Sequence, residues 1–282
     1  MAFLRPFQAL RPPPELAAQI ACPPYDVVST EEARAYASGN ECCFFHISRP
    51  EIDLPPGADA HGDEVYELGR GNLLRFRENG WLVRDAEPTY YVYRQRLPGH
   101  SQVGLVGAAS VEAYDKRLIK KHELTRPDKE NDRTRHICAL EANDEPVLLT
   151  YRGQREIEAL LARVMETAPE YDFVTGDGVW HTFWKAGGAL NSEIEQALCG
   201  VPVLYVADGH HRIAAASRAA KLFQDRTPGT SGYFLAVAFP HEQVRILDYN
   251  RVVKDLNGAQ AREFLEQLRK TEIVVATGRL IA

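Results

Sequence analysis

An α/β fold of the α+β kind, with a mixed, partly antiparallel sheet and flanking helices, is predicted by three features of the sequence. The first is a hairpin pattern over 89–111. The second is an alternation of short apolar runs and helical periodicities from 146 onward. The third is a length of 282 residues with 45% hydrophobic and 26% charged side chains, enough to bury a full core in one large or two small domains.

In chain order, residues 1–28 are rich in proline, with Pro12 to Pro14 and the run Cys22-Pro23-Pro24-Tyr25-Asp26-Val27-Val28. Proline fixes extended or turn backbone there. Ser29 or Thr30, followed by Glu31 and Glu32, starts a short helix by its cap and first-turn acids. Cys42 and Cys43 begin an apolar run that predicts a buried strand through Phe44 to Ser48. A loop rich in Pro, Gly and Asp spans 50–62, and Val65, Leu68, Leu73, Leu74 and Phe76 place an amphipathic helix over Glu64 to Asn79.

Thr89 to Leu97 and Ser101 to Val111 flank Pro98-Gly99-His100 as an antiparallel hairpin. Further strands are expected at Pro146 to Tyr151, Tyr171 to Val174 and Val179 to Trp184, with helices at 154–167 and 189–198. The C-terminal stretch has room for a helix at Ala259 to Lys270 and the start of a strand at Ile273 to Ala276. The expected portions are 1–110, 111–250 and 251–282.

Composition excludes some functions. A net charge of −6 and a pI near 5.9 argue against a general nucleic-acid binder, which needs a basic face to displace counterions. A small anionic substrate needs only a local basic pocket. The apolar stretches, such as Tyr233 to Pro240, are too short to cross a bilayer, and the N-terminus lacks the apolar stretch of a signal peptide. A cytoplasmic chain with no membrane partner is expected. The five cysteines include no C-x-x-C pair and read as reduced, structural thiols.

The most informative stretch is Val201 to Leu222. Val203-Leu204-Tyr205-Val206 suits a strand, and the alanine-rich run Ile213 to Leu222 suits a helix. Between them lies Ala207-Asp208-Gly209-His210-His211-Arg212. A helix opening directly from a strand aims unpaired N–H groups and its positive dipole end at the turn, which makes an anion site. Gly209 lets backbone approach the anion, and Arg212 adds a fixed bidentate cation. His210 and His211 can donate hydrogen bonds, hold a proton or ligate a metal. Asp208 can cap the helix, orient a histidine or hold magnesium. The alternative is an ordinary turn with capping and surface residues, since Asp-Gly is common in turns.

A second polar cluster runs from Lys120 to His136. On one helix, Lys129, Asp132, Arg133 and His136 share a face, because i, i+3, i+4 and i+7 are neighbours. That face either completes a pocket or is simply solvated and charge-laced. His122 and Glu123 could form a metal pair, but H-E-x-x-H is absent and zinc is weakly supported. Tyr25 and Asp26 either wall a pocket or pack beneath the loop and cap the next helix.

Pro-Pro-Tyr-Asp-Val (23–27), His-Glu-x-Thr (122–125), Asp-Arg (132 and 133) and Ala-Asp-Gly-His-His-Arg (207–212) occur in one chain and in order. In this the sequence resembles the domain-of-unknown-function family numbered 1015, from Phe7 through Asn257-Gly258. The Asp-Gly-His-His-Arg turn is also similar to the phosphate-binding motif of the ParB and sulfiredoxin-like superfamily, which includes nucleotide-dependent free-serine kinases. This local similarity implies a ParB/sulfiredoxin-like core over 111–250. Because members of the larger family continue well past a segment like 251–282, that segment is expected to be the start of a shortened C-terminal portion.

The implied activity is transfer of phosphate from ATP or ADP, with Mg2+, to a small hydroxyl compound such as free serine. Gly209, His210, His211, Arg212, Arg133 and Lys129 would bind phosphate or nucleotide. Glu123, Asp132, Asp208 and His210 are the candidate catalytic groups, with Asp208 also a candidate magnesium ligand. Tyr25, Asp26, His122 and Thr125 would line the substrate pocket. The alternatives are a nucleotide-binding regulatory module without turnover and a phosphate-ester hydrolase using the same turn.

Overall fold

A computed structural model describes residues 3–223, 230–247, 253 and 255–270. The chain divides into two units, Met1–Val244 and Arg245–Ala282. In the first, the strands are β1 (Leu4–Arg5), β2 (Leu10–Arg11), β3 (Val83–Arg84), β4 (Tyr91–Leu97), β5 (His100–Ser110), β6 (Ile119–Lys120), β7 (Val147–Tyr151), β8 (Tyr171–Val174), β9 (Trp180–Lys185), β10 (Leu204–Asp208) and β11 (Tyr233–Pro240). The helices are α1 (Ala17–Ile20), α2 (Thr30–Ala37), α3 (Phe45–Ser48), α4 (Asp63–Glu78), α5 (Val111–Asp115), α6 (Pro127–Leu140), α7 (Arg155–Met165), α8 (Ala189–Leu198) and α9 (His210–Phe223).

Among the described residues, nine strands form one mixed sheet in the order β6-β10-β7-β11-β5-β4-β9-β8, with β1 also on β5, while β2 and β3 pair separately. The β4–β5 hairpin and β8–β9 are antiparallel; β7 runs parallel to β11 and β6 parallel to β10. One sheet thus draws strands from both sides of residue 110.

Period-two alternation decides which face each side chain meets. Val147, Leu149 and Tyr151 of β7, with Phe234, Ala236 and Ala238 of β11, join the main core beneath α5, α7, α8 and α9. Their neighbours Leu148, Leu235, Val237 and Phe239 turn to the opposite face with Tyr91 and Phe183. Helix α7 shows why these helices form: Ile157, Leu160, Leu161 and Val164 lie on one stripe and are buried.

The strand expected at Phe44 to Ser48 is instead a single helical turn, with Phe45 and Ile47 buried. A short continuous apolar run fits a buried helix segment as well as a strand, so periodicity does not separate them. Cys42 and Cys43 are buried and free. Ser29 caps α2 in a full capping box with Glu32. Helix α9 begins at His210, not at 213.

In the second unit, Asn257 and Gly258 adopt positive φ and lead into α10 (Ala261–Lys270). The strand expected at 273–276 lies outside the described residues. Among the described residues no helix is long and apolar enough to cross a membrane.

Candidate anion-binding site

Strand β10 meets β7 with a register shift between Val206 and Asp208, so the chain bends before it reaches Gly209. There φ is +90°, a backbone that side chains rarely adopt. A Cβ at this position would lie 3.1 Å from Arg212 Nε and 3.2 Å from its Cζ; glycine leaves room for the guanidinium. The Ile213 amide donates to the Gly209 carbonyl at 3.0 Å. The N–H groups of the first helical turn have no intrahelical acceptor and point toward the turn. Ile213, Ala215, Ala216 and Ala219 are buried, which anchors the helix behind it. Arg212 donates to the Asp208 carboxylate and to the Pro146 carbonyl.

His210 is only 5% exposed. Its ring meets that of His122 edge-on at 4.5 Å, and its Nδ1 lies 3.6 Å from a carboxylate oxygen of Glu123. Its Nε2 is enclosed and, among the described residues, has no hydrogen-bond partner. Burial, reinforced by His122, holds the His210 imidazole below its ordinary range, which keeps it neutral at pH 7. His211 Nε2 accepts the Arg126 amide at 3.1 Å. The segment 122–126 therefore lies directly against the first turn of α9. Thr125 donates to Glu130 at 2.7 Å, and Arg218 of α9 reaches the other oxygen of Glu130 at 3.2 Å.

Helix α6 carries its charged face from solvent into the interior. Lys129 is exposed, Asp132 and Arg133 are half-buried, and His136 is buried. The Arg133 guanidinium lies over the Tyr25 ring at 4.2 Å and bonds Asp132 at 2.8 Å. The other Asp132 oxygen accepts from Tyr66 at 2.8 Å and meets His61 at 2.9 Å. Burial alone would raise the Asp132 carboxyl; Arg133, Tyr66 and His61 outweigh it and hold it below the usual carboxylate range. A carboxylate so fully engaged orients Arg133 and is poorly placed to accept a substrate proton. Asp26 is exposed, and the cap of α2 is Ser29 rather than Asp26.

Two residues outside the sequence-based reading, Asp144 and Glu145, join His136 of α6 to complete the arrangement. His136 Nε2 bonds Asp144 at 2.8 Å, with side chains 1% and 11% exposed. Burial would raise Asp144, but His136 and Arg133 hold it below its ordinary value. Beside it, Glu145 Oε1 accepts the Tyr25 amide at 3.2 Å. Burial and the adjacent Asp144 push the Glu145 carboxyl up to about 8, against Arg212 and Arg133. The only local mark of this pair in the sequence is two adjacent acids directly before Pro146.

Among the described residues, no cluster of three or more His, Cys, Asp or Glu side chains could hold a metal ion. Asp208, with its side chain 66% exposed, is a single accessible carboxylate. One exposed carboxylate falls within the one or two protein carboxylates that a magnesium ion takes.

No curated protein and no solved structure matches the chain. A family model described as Protein of unknown function (DUF1015) matches residues 4–278. Tyr25, His122, Glu123, Arg133 and the 208–212 turn, quoted in the sequence as family motifs, converge on one region of the molecule, and the chain belongs to the DUF1015 family.

Proposed function

We propose that the protein is a nucleotide-dependent phosphotransferase acting on a small hydroxyl compound, free serine among the candidates. The observation that carries this reading is the meeting of the Gly209 turn with the 122–126 segment at His210, where ring contact and a carboxylate lie within a few ångströms. The first supplies anion donors and the second supplies a base. The local likeness of Asp-Gly-His-His-Arg to the ParB and sulfiredoxin-like phosphate motif is consistent with it.

In this reading the amides of His210 to Arg212 receive the phosphates of ATP or ADP. Arg212 and Arg133 neutralise their charge, with exposed Lys129 at the rim. The acceptor hydroxyl attacks the terminal phosphorus, its proton passes to Glu123, and the bond to the leaving nucleotide oxygen breaks. Glu123 is favoured over Asp132 as base because its side chain is 58% exposed and Asp132 is engaged by three partners. His122 and neutral His210 orient Glu123 and the acceptor. Tyr25 and Asp26 form one wall, and Thr125 fixes the loop. Magnesium would be held by Asp208 and phosphate oxygens and would neutralise charge between phosphates.

The test is incubation with ATP or ADP, Mg2+ and a panel of small hydroxyl compounds including serine, with phosphorylated product detected by mass. Glu123→Gln should abolish product while nucleotide still binds. Tight nucleotide binding with no product from any acceptor would replace this reading with a regulatory module.

A further inference from the structure

We infer, resting on the anion-site reading, that Glu145 is a positioning residue of that site and that anion binding at Arg212 and Arg133 is accompanied by uptake of a proton by its carboxyl group. Glu145 lies in the short segment between α6 and β7. One oxygen holds the Tyr25 amide at 3.2 Å, and the other is enclosed and, among the described residues, has no hydrogen-bond partner. With Arg133, His136, Asp144 and Arg212 it lines a cavity of about 10 Å3, room for about one water.

The charges facing this carboxyl come from every packed element. Asp144 adjoins it in its own segment. Arg133 and His136 face it from α6, Arg212 from α9, and Tyr25 from the N-terminal segment. The Cys22 thiol also senses it, and its hydrogen bond to Cys43 and its burial keep that thiol protonated. The arginines act on Glu145 through space, since Arg212 donates to Asp208 and the Pro146 carbonyl and Arg133 to Asp132. They oppose the burial and the Asp144 charge that together set the carboxyl at about 8.

A phosphate drawn to the same two arginines cancels their hold on Glu145 and adds repulsion of its own. The carboxylate then takes a proton, which removes the repulsion and turns the unpartnered oxygen from acceptor into donor. The sign follows. Binding raises the Glu145 value above its free value of about 8, so affinity is greatest at and below that pH. Above it, affinity declines by about tenfold per pH unit until the bound value is reached.

The test is isothermal titration of the full chain with inorganic phosphate and with ADP at pH 9, in two buffers of different ionisation enthalpy. At that pH the phosphates are fully ionised, while burial keeps the Tyr25 hydroxyl, at about 12, protonated. The wild type should take up a large fraction of one proton per ligand bound, and Glu145→Gln should bind with none. Binding by the wild type with no uptake, or equal uptake by both proteins, overturns the role of Glu145 and leaves the anion site standing. Absence of binding by either ligand between pH 7 and pH 9 overturns the anion site and this proposal with it. Should the variant not fold, the wild-type affinity from pH 7 to pH 10 decides: a flat profile overturns the proposal.

Discussion

Two acidic pairs flank the site in opposite surroundings. Asp208 bonds Arg212 at the mouth of the turn, with its carboxylate side chain 66% exposed. Asp144 bonds His136 behind it, with side chains 11% and 1% exposed. Only the Asp208 end of the first pair is open to water, Arg212 being 13% exposed; a pair with a solvated carboxylate gains little from its charges, whereas one buried at both ends cannot lose a partner without stranding a charge. The difference separates two tasks. The outer pair can exchange its partner for a phosphate or a magnesium ion. The inner pair holds the frame in which Arg133, Glu145 and Arg212 keep their positions.

The largest expected effect comes from breaking the inner pair. Asp144→Ala should lower unfolding stability by about 3–5 kcal/mol, measured by urea denaturation at pH 7. Asp208→Ala should cost less than about 1 kcal/mol. Equal losses would remove the distinction between the two pairs.

The neighbouring carboxyl sharpens the same contrast through pH. Glu145 is raised in the folded protein from 4.5 to about 8, so folding favours its protonated form. Its contribution is full below the unfolded value and is lost as pH rises through the folded one. Glu145→Gln should therefore gain on the wild type between pH 4.5 and pH 8, with a constant advantage above. Asp144, held below its ordinary value, has the opposite sign and loses its contribution only in acid. A stability difference between Glu145→Gln and wild type that does not change with pH would show that Glu145 does not titrate in this window.

At the outer pair the effect should fall on ligand rather than on folding. Arg212→Ala removes a charge-assisted donor and should weaken phosphate or nucleotide binding by about 1.5–3 kcal/mol, read by calorimetry. Unchanged affinity would mean that Arg212 serves only the Asp208 carboxylate and the Pro146 carbonyl.

What the sequence could and could not disclose divides along the same line. The turn at 207–212 was legible because a strand, a glycine and an alanine-rich helix are local signals. The α6 face was legible for the same reason, through i, i+4 spacing. The hairpin and the strands β7, β8, β9 and β10 followed from apolar runs, alternation and turn residues, whereas β11 and the two-residue strands β1, β2, β3 and β6 were not expected. The helical turn at Phe44 to Ser48 did not follow, since an apolar run of that length fits either period. Asp144 and Glu145 were hidden for another reason. Their burial arises from α6, α9 and the Tyr25 segment closing over them, contacts spanning 120 residues in the case of Tyr25 and Glu145. Local composition there resembles a polar loop, and only the tertiary fold turns it into a buried charge cluster.

The smallest expected effect lies at the wall. Tyr25 is half-buried, its ring carries the Arg133 guanidinium, and its backbone is held at both ends, by Glu145 at the amide and by Arg49 at the carbonyl at 2.7 Å. Those backbone bonds survive replacement of the side chain. Tyr25→Leu should therefore cost only the ring–cation contact, about 0.5–2 kcal/mol, well short of the roughly 3–5 kcal/mol of a fully packed aromatic. Tyr25→Phe keeps the ring and should be nearly neutral. Because Arg133 loses its platform in the leucine variant, phosphate affinity should fall there and not in the phenylalanine variant. A loss of affinity in both would assign the role to the hydroxyl. A stability loss as large as that of a core aromatic, with affinity unchanged, would place Tyr25 among the packing residues and leave Arg133 to be positioned by Asp132 alone.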